Sequence, residues 1–445
     1  MAHISSLLAL INDAAKTLAR AYVEENGHVP SLDETEPHPL DAQLSSPTMR
    51  EAVQVLEGAC AQLCATLARP QHTVLNHFFL TALDPSCTSV ALEFKIADIL
   101  HESPTGMHIE TIAQRCGGEP TKLARILRLL AAKHCFREVE HNVFANNRVS
   151  IQLLASNPIH SLGLHMTGDA TKAASRLAET LADRDVGASL DPAQSAWNRY
   201  TGQPLAMFDY WDQNPGLGHG ERFGIAMLGW GTAVEASAVV HAYPWSALPP
   251  GASVCDLGGG VGAMAMQLAR AHPHLHIKLQ DLPDRISQAQ NVVWPQSCPQ
   301  AIAEHRVQFE SIDFLVQRPI EGCDVYYLKN ILHAFPAAEC RAILARVRSA
   351  MKPGSRVLIH EYALQTPRTS ASVQAPDPLL HNHGQGRIRQ YYLDVSLMAL
   401  LNGGERTLEE YIQLGEQAGL RFVKLWDFGD MSGVEFDLQQ QRSML

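Results

Sequence analysis

The stretch Ala252-Ser-Val-Cys-Asp-Leu-Gly-Gly-Gly-Val-Gly262 decides the fold. An apolar, β-branched run ends there in a glycine-dense turn, and a helical pattern follows at once, so the order is strand, tight turn, helix. Gly258, Gly260 and Gly262 permit positive φ and close backbone approach, and the helix start offers free N–H groups. Such a turn suits contact between backbone and ligand. The spacing is G-x-G-x-G. It lacks the G-x-G-x-x-G of dinucleotide sites and the Lys-Ser/Thr of phosphate loops, which argues against NAD and ATP. The next apolar run, from His276, ends at Asp281-Leu282, about 20 residues beyond the glycines, where a carboxylate at a strand end can hold both hydroxyls of a ribose. With Asp256 closing the first run, these elements read as an S-adenosylmethionine (SAM) site. Taken alone, the glycine turn is also compatible with a tight strand-to-helix connection and no ligand.

The chain has 445 residues, 46% of them hydrophobic and 18% charged. That length exceeds the usual single domain, so two or three domains with real cores are expected. A net charge of −11 and the lack of a dense Lys/Arg block disfavour nucleic acid and leave a small molecule as the expected partner. Nine cysteines, scattered and without paired CxxC spacing, read as reduced thiols of an intracellular protein. No zinc set is completed, so no metal is expected. The first residues, from Met1 to Asp13, read as an amphipathic helix rather than a signal peptide, and no apolar stretch approaches the roughly 20 residues that span a bilayer. A soluble, cytoplasmic protein is the expectation.

Helical periodicity covers Ile4 to Glu25 and Thr48 to Leu67, separated by a polar, proline-containing segment. These helices have few local partners in the sequence, and either dimerisation or packing on their own domain would cover them. Further on, Ala91–Leu100 reads as one helix, a second begins at His108 and ends at Gly117-Gly118, and a third is opened by Pro120. The run Phe136–Phe144 then alternates like a short hairpin. Three helices and a wing make a winged helix. Its likeness to DNA-binding modules is opposed by the acidic whole, so it reads as a structural and dimerisation module. From Gly251 the chain alternates strand and helix, which predicts a doubly wound parallel sheet with ligands at the carboxyl ends of its strands. Thr366–Arg389, rich in Pro, Ser, His and Gly, reads as a loop or lid. There is no internal repeat.

Further strand ends carry chemistry. Asp313-Phe314 offers an acid and an aromatic for an amino group and an adenine face. Then come Lys329-Asn-Ile-Leu-His333-Ala334-Phe335, Glu361 after Val357-Leu-Ile-His, and Glu405 in Asn402-Gly-Gly-Glu-Arg. With these residues the sequence resembles the plant and fungal SAM-dependent O-methyltransferases over most of the chain beyond about residue 85. The resemblance implies an α/β fold: a Rossmann-like SAM-dependent methyltransferase domain with an N-terminal helical and winged-helix dimerisation domain, acting as a homodimer. Expected boundaries are a helical dimerisation segment at 1–70, a winged-helix-like domain at 71–185, and a helical linker with the catalytic domain at 186–445. It also implies that Gly258, Gly260, Asp281, Leu282, Asp313, Phe314 and Lys329 line the SAM site, that His333 is the general base, and that Glu361 and Glu405 orient it. An imidazole with an ordinary pKa of about 6.5 can take a phenol or enol proton near neutrality when a carboxylate fixes its tautomer. A packing histidine is the alternative for His333, and a solvated strand end that for Glu361.

One departure bears on the reaction. Members of the family read His-Asp-Trp where this chain reads His333-Ala334-Phe335. The wall becomes apolar, and shape and ring packing replace an acid. In this the chain resembles a fungal branch, the O-methyltransferase-like pericyclases of 2-pyridone alkaloid biosynthesis, which keep SAM bound as a fixed cation. That likeness implies Lys329 as a donor to a substrate carbonyl, with His165 or His160 assisting loss of water; plain SAM contact by Lys329, and satisfied core histidines, are the alternatives. Phe208, Tyr210, Trp211 and Met398 read as pocket walls or simple core. The expectation leans to a secondary-metabolite pericyclase, with methyl transfer to a phenolic or enolic oxygen as the alternative. A SAM-binding or DNA-binding regulator ranks last.

Overall fold

The structure, a computed structural model, describes residues 2–365 and 375–439. The chain forms two compact units. The described residues of unit one are 2–188, 193–233 and 375–388; those of unit two are 189–192, 234–365 and 389–439. Residues 193–233, which the sequence reading groups with the catalytic domain, therefore pack in unit one. The reason is local: the helix His219–Ala233 lies along Pro158–His165, and Gly229 admits the backbone of Pro158 where any larger residue would collide.

In unit one the helices Ala2–Asn26 and Pro47–Leu67 pack on each other and bury Leu7, Ala52, Val55 and Ala59 together with Ala375 and Leu379. The apolar residues that they bury are covered inside their own unit, while Leu8, Val23 and Leu67 stay exposed. The segment 375–388 belongs to this contact; of the predicted loop or lid, residues 366–374 lie outside the described residues. The winged module follows with two differences from its expectation. Ala91–Leu100 is broken, because Lys95 takes a left-handed φ of 49° and separates Leu83–Glu93 from Ile96–His101. His108 is not helical: Met107–His108 is a strand paired with Val143–Phe144, and its ring accepts the Glu110 N–H as the helix cap. The third helix, Pro120–Ala132, starts as predicted, with Glu119 capping the N–H groups of Thr121 and Lys122.

Unit two is built on seven strands: β1 (Ser253–Leu257), β2 (His276–Asp281), β3 (Val307–Ser311), β4 (Val325–Lys329), β5 (Arg356–Glu361), β6 (Leu420–Phe428) and β7 (Met431–Leu438). Their order is β6-β7-β5-β4-β1-β2-β3. The expected parallel sheet is a correction: β1 to β5 are parallel, but β7 runs antiparallel to both β5 and β6, so the sheet is mixed. No motif announced that last hairpin. Val254, Cys255 and Leu257 of β1 and Val325 to Leu328 of β4 are fully buried, as central strands covered on both faces must be. One face is covered by Ala263–Ala271 through Ala265, Leu268 and Ala269, the other by Ala337–Ala350 through Ile343, Leu344 and Val347. The chain goes from β1 towards β3 on one side and from β4 to β5 on the other, so the crevice at the carboxyl ends of β1 and β4 is the switch point where ligands bind. No single helix is long and apolar enough to cross a membrane.

Candidate active site

Every motif residue from Asp256 to Glu405 lies in unit two; those up to Glu361 stand at or just beyond the carboxyl ends of β1 to β5, and Glu405 joins them from the segment after the helix Arg389–Leu401. The glycine turn has positive φ at Gly258 (73°), Gly260 (62°) and Gly262 (86°). A Cβ on Gly258 would collide with Ile331 and crowd Phe314, whereas nothing stands within 4 Å of a Cβ on Gly260. One glycine is needed for packing; the other faces open space where a ligand can touch backbone. Asp281, at the end of β2, accepts N–H bonds from Gly260 and Leu282, both at 2.7 Å. Its carboxylate is thus aimed and fixed while keeping lone pairs for hydroxyls. Leu282 beside it is half exposed.

Asp256 and Lys329 close the bottom of this crevice. Burial, with the Asp281 charge adding to it, pushes the Asp256 carboxyl up to about 7, and Lys329 opposes the rise. Asp256 Oδ2 is buried and has no hydrogen-bond partner among the described residues. Burial likewise lowers the Lys329 ammonium to about 8, against the pull of Asp256 and Glu361. Asp313 is exposed, and its Oδ1 accepts the Leu315 N–H at 3.0 Å; the ring of Phe314 meets Phe335 edge-on at 6.0 Å. These residues fit SAM by observations independent of the motif: an open face at Gly260, a fixed ribose-type carboxylate, and an orphaned buried acid beside a half-buried ammonium.

His333 sits on the single 3-10 turn Leu332–Ala334, directly after β4. Its Nδ1–H donates to Glu405 Oε1 at 2.7 Å, which leaves Nε2 with the lone pair. Burial depresses the imidazole's pKa, but the Glu405 carboxylate outweighs it and the net shift is upward. Glu405 is itself placed by Asp394, which accepts its N–H at 2.9 Å.

Glu361 meets the backbone of the His333 turn and not its ring. Its Oε1 accepts the N–H groups of Ile331 (2.8 Å) and Leu332 (2.6 Å), and its Oε2 accepts the Tyr411 hydroxyl at 2.6 Å. It caps the turn that carries His333 and has no hydrogen bond to the imidazole. Arg406 holds the other end, donating to the carbonyls of Leu332 (2.9 Å) and Phe335 (2.6 Å), while Gly404 N–H donates to the His333 carbonyl at 2.8 Å. Arg406, Tyr411 and Asp394 were not singled out in the sequence; only Arg406, adjacent to Glu405, stood inside a quoted motif. Ala334 and Phe335 are half-buried, and Met398 is half-buried on the helix Arg389–Leu401 of the same unit.

His160, His165, Phe208 and Trp211 belong to unit one. His160 is a satisfied core residue, its Nδ1–H donating to the Leu153 carbonyl at 2.9 Å. His165 Nδ1 lies 3.3 Å from Asp169, whose carboxylate also meets His219 (3.3 Å) and Arg222 (3.2 Å). Burial raises the Asp169 carboxyl, but the facing imidazoles and Arg222 bring it below its ordinary value. Trp211 is buried and Phe208 is 41% exposed.

Comparison with known proteins places this geometry. A model described as the O-methyltransferase domain matches residues 191–421, and one described as the O-methyltransferase dimerisation domain matches 76–156. The chain is 40% identical to 3-O-methyltransferase 2 of Phanerochaete chrysosporium over 440 residues, 98% of this chain and 97% of that one. It is 35% identical to O-methyltransferase gedA of Aspergillus terreus, over 76% of each chain. Among solved structures it is similar to a pericyclic reaction enzyme (TM-score 0.71, 19% identity, 96% of this chain and 99% of that one). It is also similar to human N-acetylserotonin methyltransferase in complex with SAM (TM-score 0.66, 20% identity, 84% and 99%). At these identities the structural likenesses show the fold.

Proposed function

Since the chain belongs to the O-methyltransferase family, which uses SAM, we propose that it methylates a phenolic or enolic oxygen of a small fungal metabolite with His333 as general base. The observation that carries this reading is the His333–Glu405 pair: a buried imidazole whose Nδ1 meets a carboxylate at 2.7 Å, on a turn pinned at both ends. Nε2 accepts the substrate hydroxyl proton, and Glu405 stabilises the imidazolium that results. The glycine turn, Asp281 and Lys329 would hold SAM, with Asp256 and Phe314 beside them; the cofactor supplies an electrophilic methyl group. The half-buried Ala334 and Phe335 present an apolar wall to the acceptor ring. The dimerisation-domain match supports a homodimer.

A second reading, pericyclic closure of a 2-pyridone alcohol with SAM unconsumed, is favoured by Ala334-Phe335 and by a half-buried Lys329 placed to donate to a carbonyl. One incubation separates the two. The protein is given SAM with a panel of phenols and, separately, a 2-pyridone alcohol. S-adenosylhomocysteine accumulating with a product heavier by one methyl is the expected result; a cyclised product with SAM unconsumed would replace methyl transfer with the second reading. In that event a Lys329→Ala variant that binds SAM yet fails to cyclise would assign the lysine.

A further inference from the structure

Beneath the cofactor crevice of unit two lies a buried polar pair that methyl transfer leaves unused. Register places Asp256 of β1 opposite Tyr327 of β4, and Lys329 of β4 opposite His360 of β5. Partners on neighbouring strands, about 4.8 Å apart, share a face, and so do residues two apart on one strand, so all four side chains stand on one side of the sheet. The Tyr327 hydroxyl and His360 Nδ1 meet at 2.6 Å. Both residues are fully buried, with Trp245 edge-on to the tyrosine at 6.4 Å and Phe428 edge-on to the imidazole at 5.0 Å. The pair itself is uncharged: burial and the Asp256 charge hold the phenol well above its ordinary pKa, and burial and the Lys329 charge hold the imidazole well below its own.

The groups around this pair lack partners. Asp256 Oδ2 and His360 Nε2 are buried without a hydrogen bond among the described residues, and the Lys329 ammonium makes none among them either. A buried polar group left unpaired is costly, so three on one face of adjoining strands call for an explanation. Their chemistries are complementary, since an ammonium only donates and an ionised carboxylate only accepts. With its proton on Nδ1, His360 donates to the Tyr327 oxygen, which leaves a lone pair at Nε2 and the phenol hydrogen free. The lone pair suits the ammonium opposite His360, and the hydrogen suits the carboxylate opposite Tyr327. The Lys329 charge favours that tautomer, because the other would set an N–H beside a cation.

We propose that His360 and Tyr327 are positioning residues of the SAM site: His360 Nε2 accepts from the Lys329 ammonium, the Tyr327 hydroxyl donates to Asp256, and the neutral pair holds both charges beneath the cofactor. Each of these two bonds is direct or passes through one ordered water. The other titratable groups that face Lys329 are Asp256 of β1, Glu361 of β5 and His333 on the turn after β4, and Asp281 of β2 adds its charge to Asp256. The inference rests on SAM binding at this crevice and holds for either reading of the reaction.

Isothermal titration calorimetry with S-adenosylhomocysteine on the full chain, repeated across neutral and alkaline pH, tests it without turnover. The parent's affinity should fall as pH rises through about 8, where Lys329 loses its charge. His360→Leu, which removes the acceptor, should bind about tenfold more weakly and lose affinity at lower pH, since an ammonium without its acceptor gives up its proton sooner. Tyr327→Phe, smaller by one oxygen, should move the same way by about threefold to tenfold. His360→Gln, which keeps both an acceptor and a donor, should restore most of the affinity. In a Lys329→Met background, which carries the ligand's own titration, His360→Leu should cost nothing further. Parent-like affinity and pH dependence in either His360→Leu or Tyr327→Phe, or an undiminished loss in the Lys329→Met background, would overturn the inference. Tyr327→Phe decides the matter if His360→Leu fails to fold. Failure here would leave methyl transfer standing, and failure of methyl transfer would leave the coupling to Lys329 standing.

Discussion

Among the described residues two buried imidazoles face carboxylates, and the two pairs are built to opposite ends. Among the described residues the His333 ring has one side-chain hydrogen-bond partner, Glu405 at 2.7 Å, whereas His165 shares Asp169, at 3.3 Å, with His219 and Arg222. A carboxylate that faces one imidazole puts its field on that ring and raises its basicity. One that faces three cationic or donor groups is held low itself and spreads its field among them. The first arrangement suits proton abstraction and the second suits holding helical segments in place. The same residue types therefore say little until the number of partners per carboxylate is known.

Four substitutions sharpen or break this contrast, read out by the pH dependence of the proposed methyl transfer. His333→Ala should lower kcat/KM by about 10²–10⁴, the usual worth of positioned proton transfer; a loss under about fivefold would remove His333 as the base. Glu405→Gln should lower kcat by about 10-fold to 100-fold, part of that same contribution, and move the acidic limb of the rate profile to lower pH. The sign follows from the raised imidazole pKa: the rate needs neutral His333, so the limb sits above the ordinary imidazole value, and removing the carboxylate's charge brings it down. Glu361→Gln acts through the turn, by weakening the hydrogen bonds that its carboxyl accepts from Ile331 and Leu332; a fall in kcat of about tenfold with a smaller limb shift than in Glu405→Gln is expected. Asp169→Asn should leave the limb where it is and lower thermal stability, by about 1–3 kcal/mol for unsatisfied buried donors. If Asp169→Asn moves the limb instead, His165 and not His333 sets it.

Much of unit two is legible from residues 252–262 and 281, because strand, turn and acid are local patterns with fixed offsets. The paired strands β6 and β7 are not, since their alternation is blurred: β7 is buried along most of its length, and β6 carries a register shift between Phe422 and Lys424. In the site, the sequence names His333, Glu361 and Glu405 but not how they divide the work. That Glu361 caps backbone while Glu405 grips the ring depends on which strand end faces the turn, a relation across 28 and 72 residues. Asp169 stayed hidden for the same reason. Its partners His219 and Arg222 are 50 and 53 residues away, joined only by the packing of two helices. The winged module shows the converse: its helices read correctly except at Lys95 and His108, where a left-handed residue and an unforeseen strand override propensity.

Strand β7 lies between β6 and β5, not at an edge. A ribosome makes Met431–Leu438 after every other strand of the sheet, so the nascent sheet waits with β5 presenting an unpaired, apolar rim until those residues emerge. Nonlocal closure of that kind is slow and leaves a sticky intermediate. Vectorial synthesis thus makes the yield of folded protein depend on the strand of this sheet that is laid down last, the one that pairs with the strand carrying Glu361.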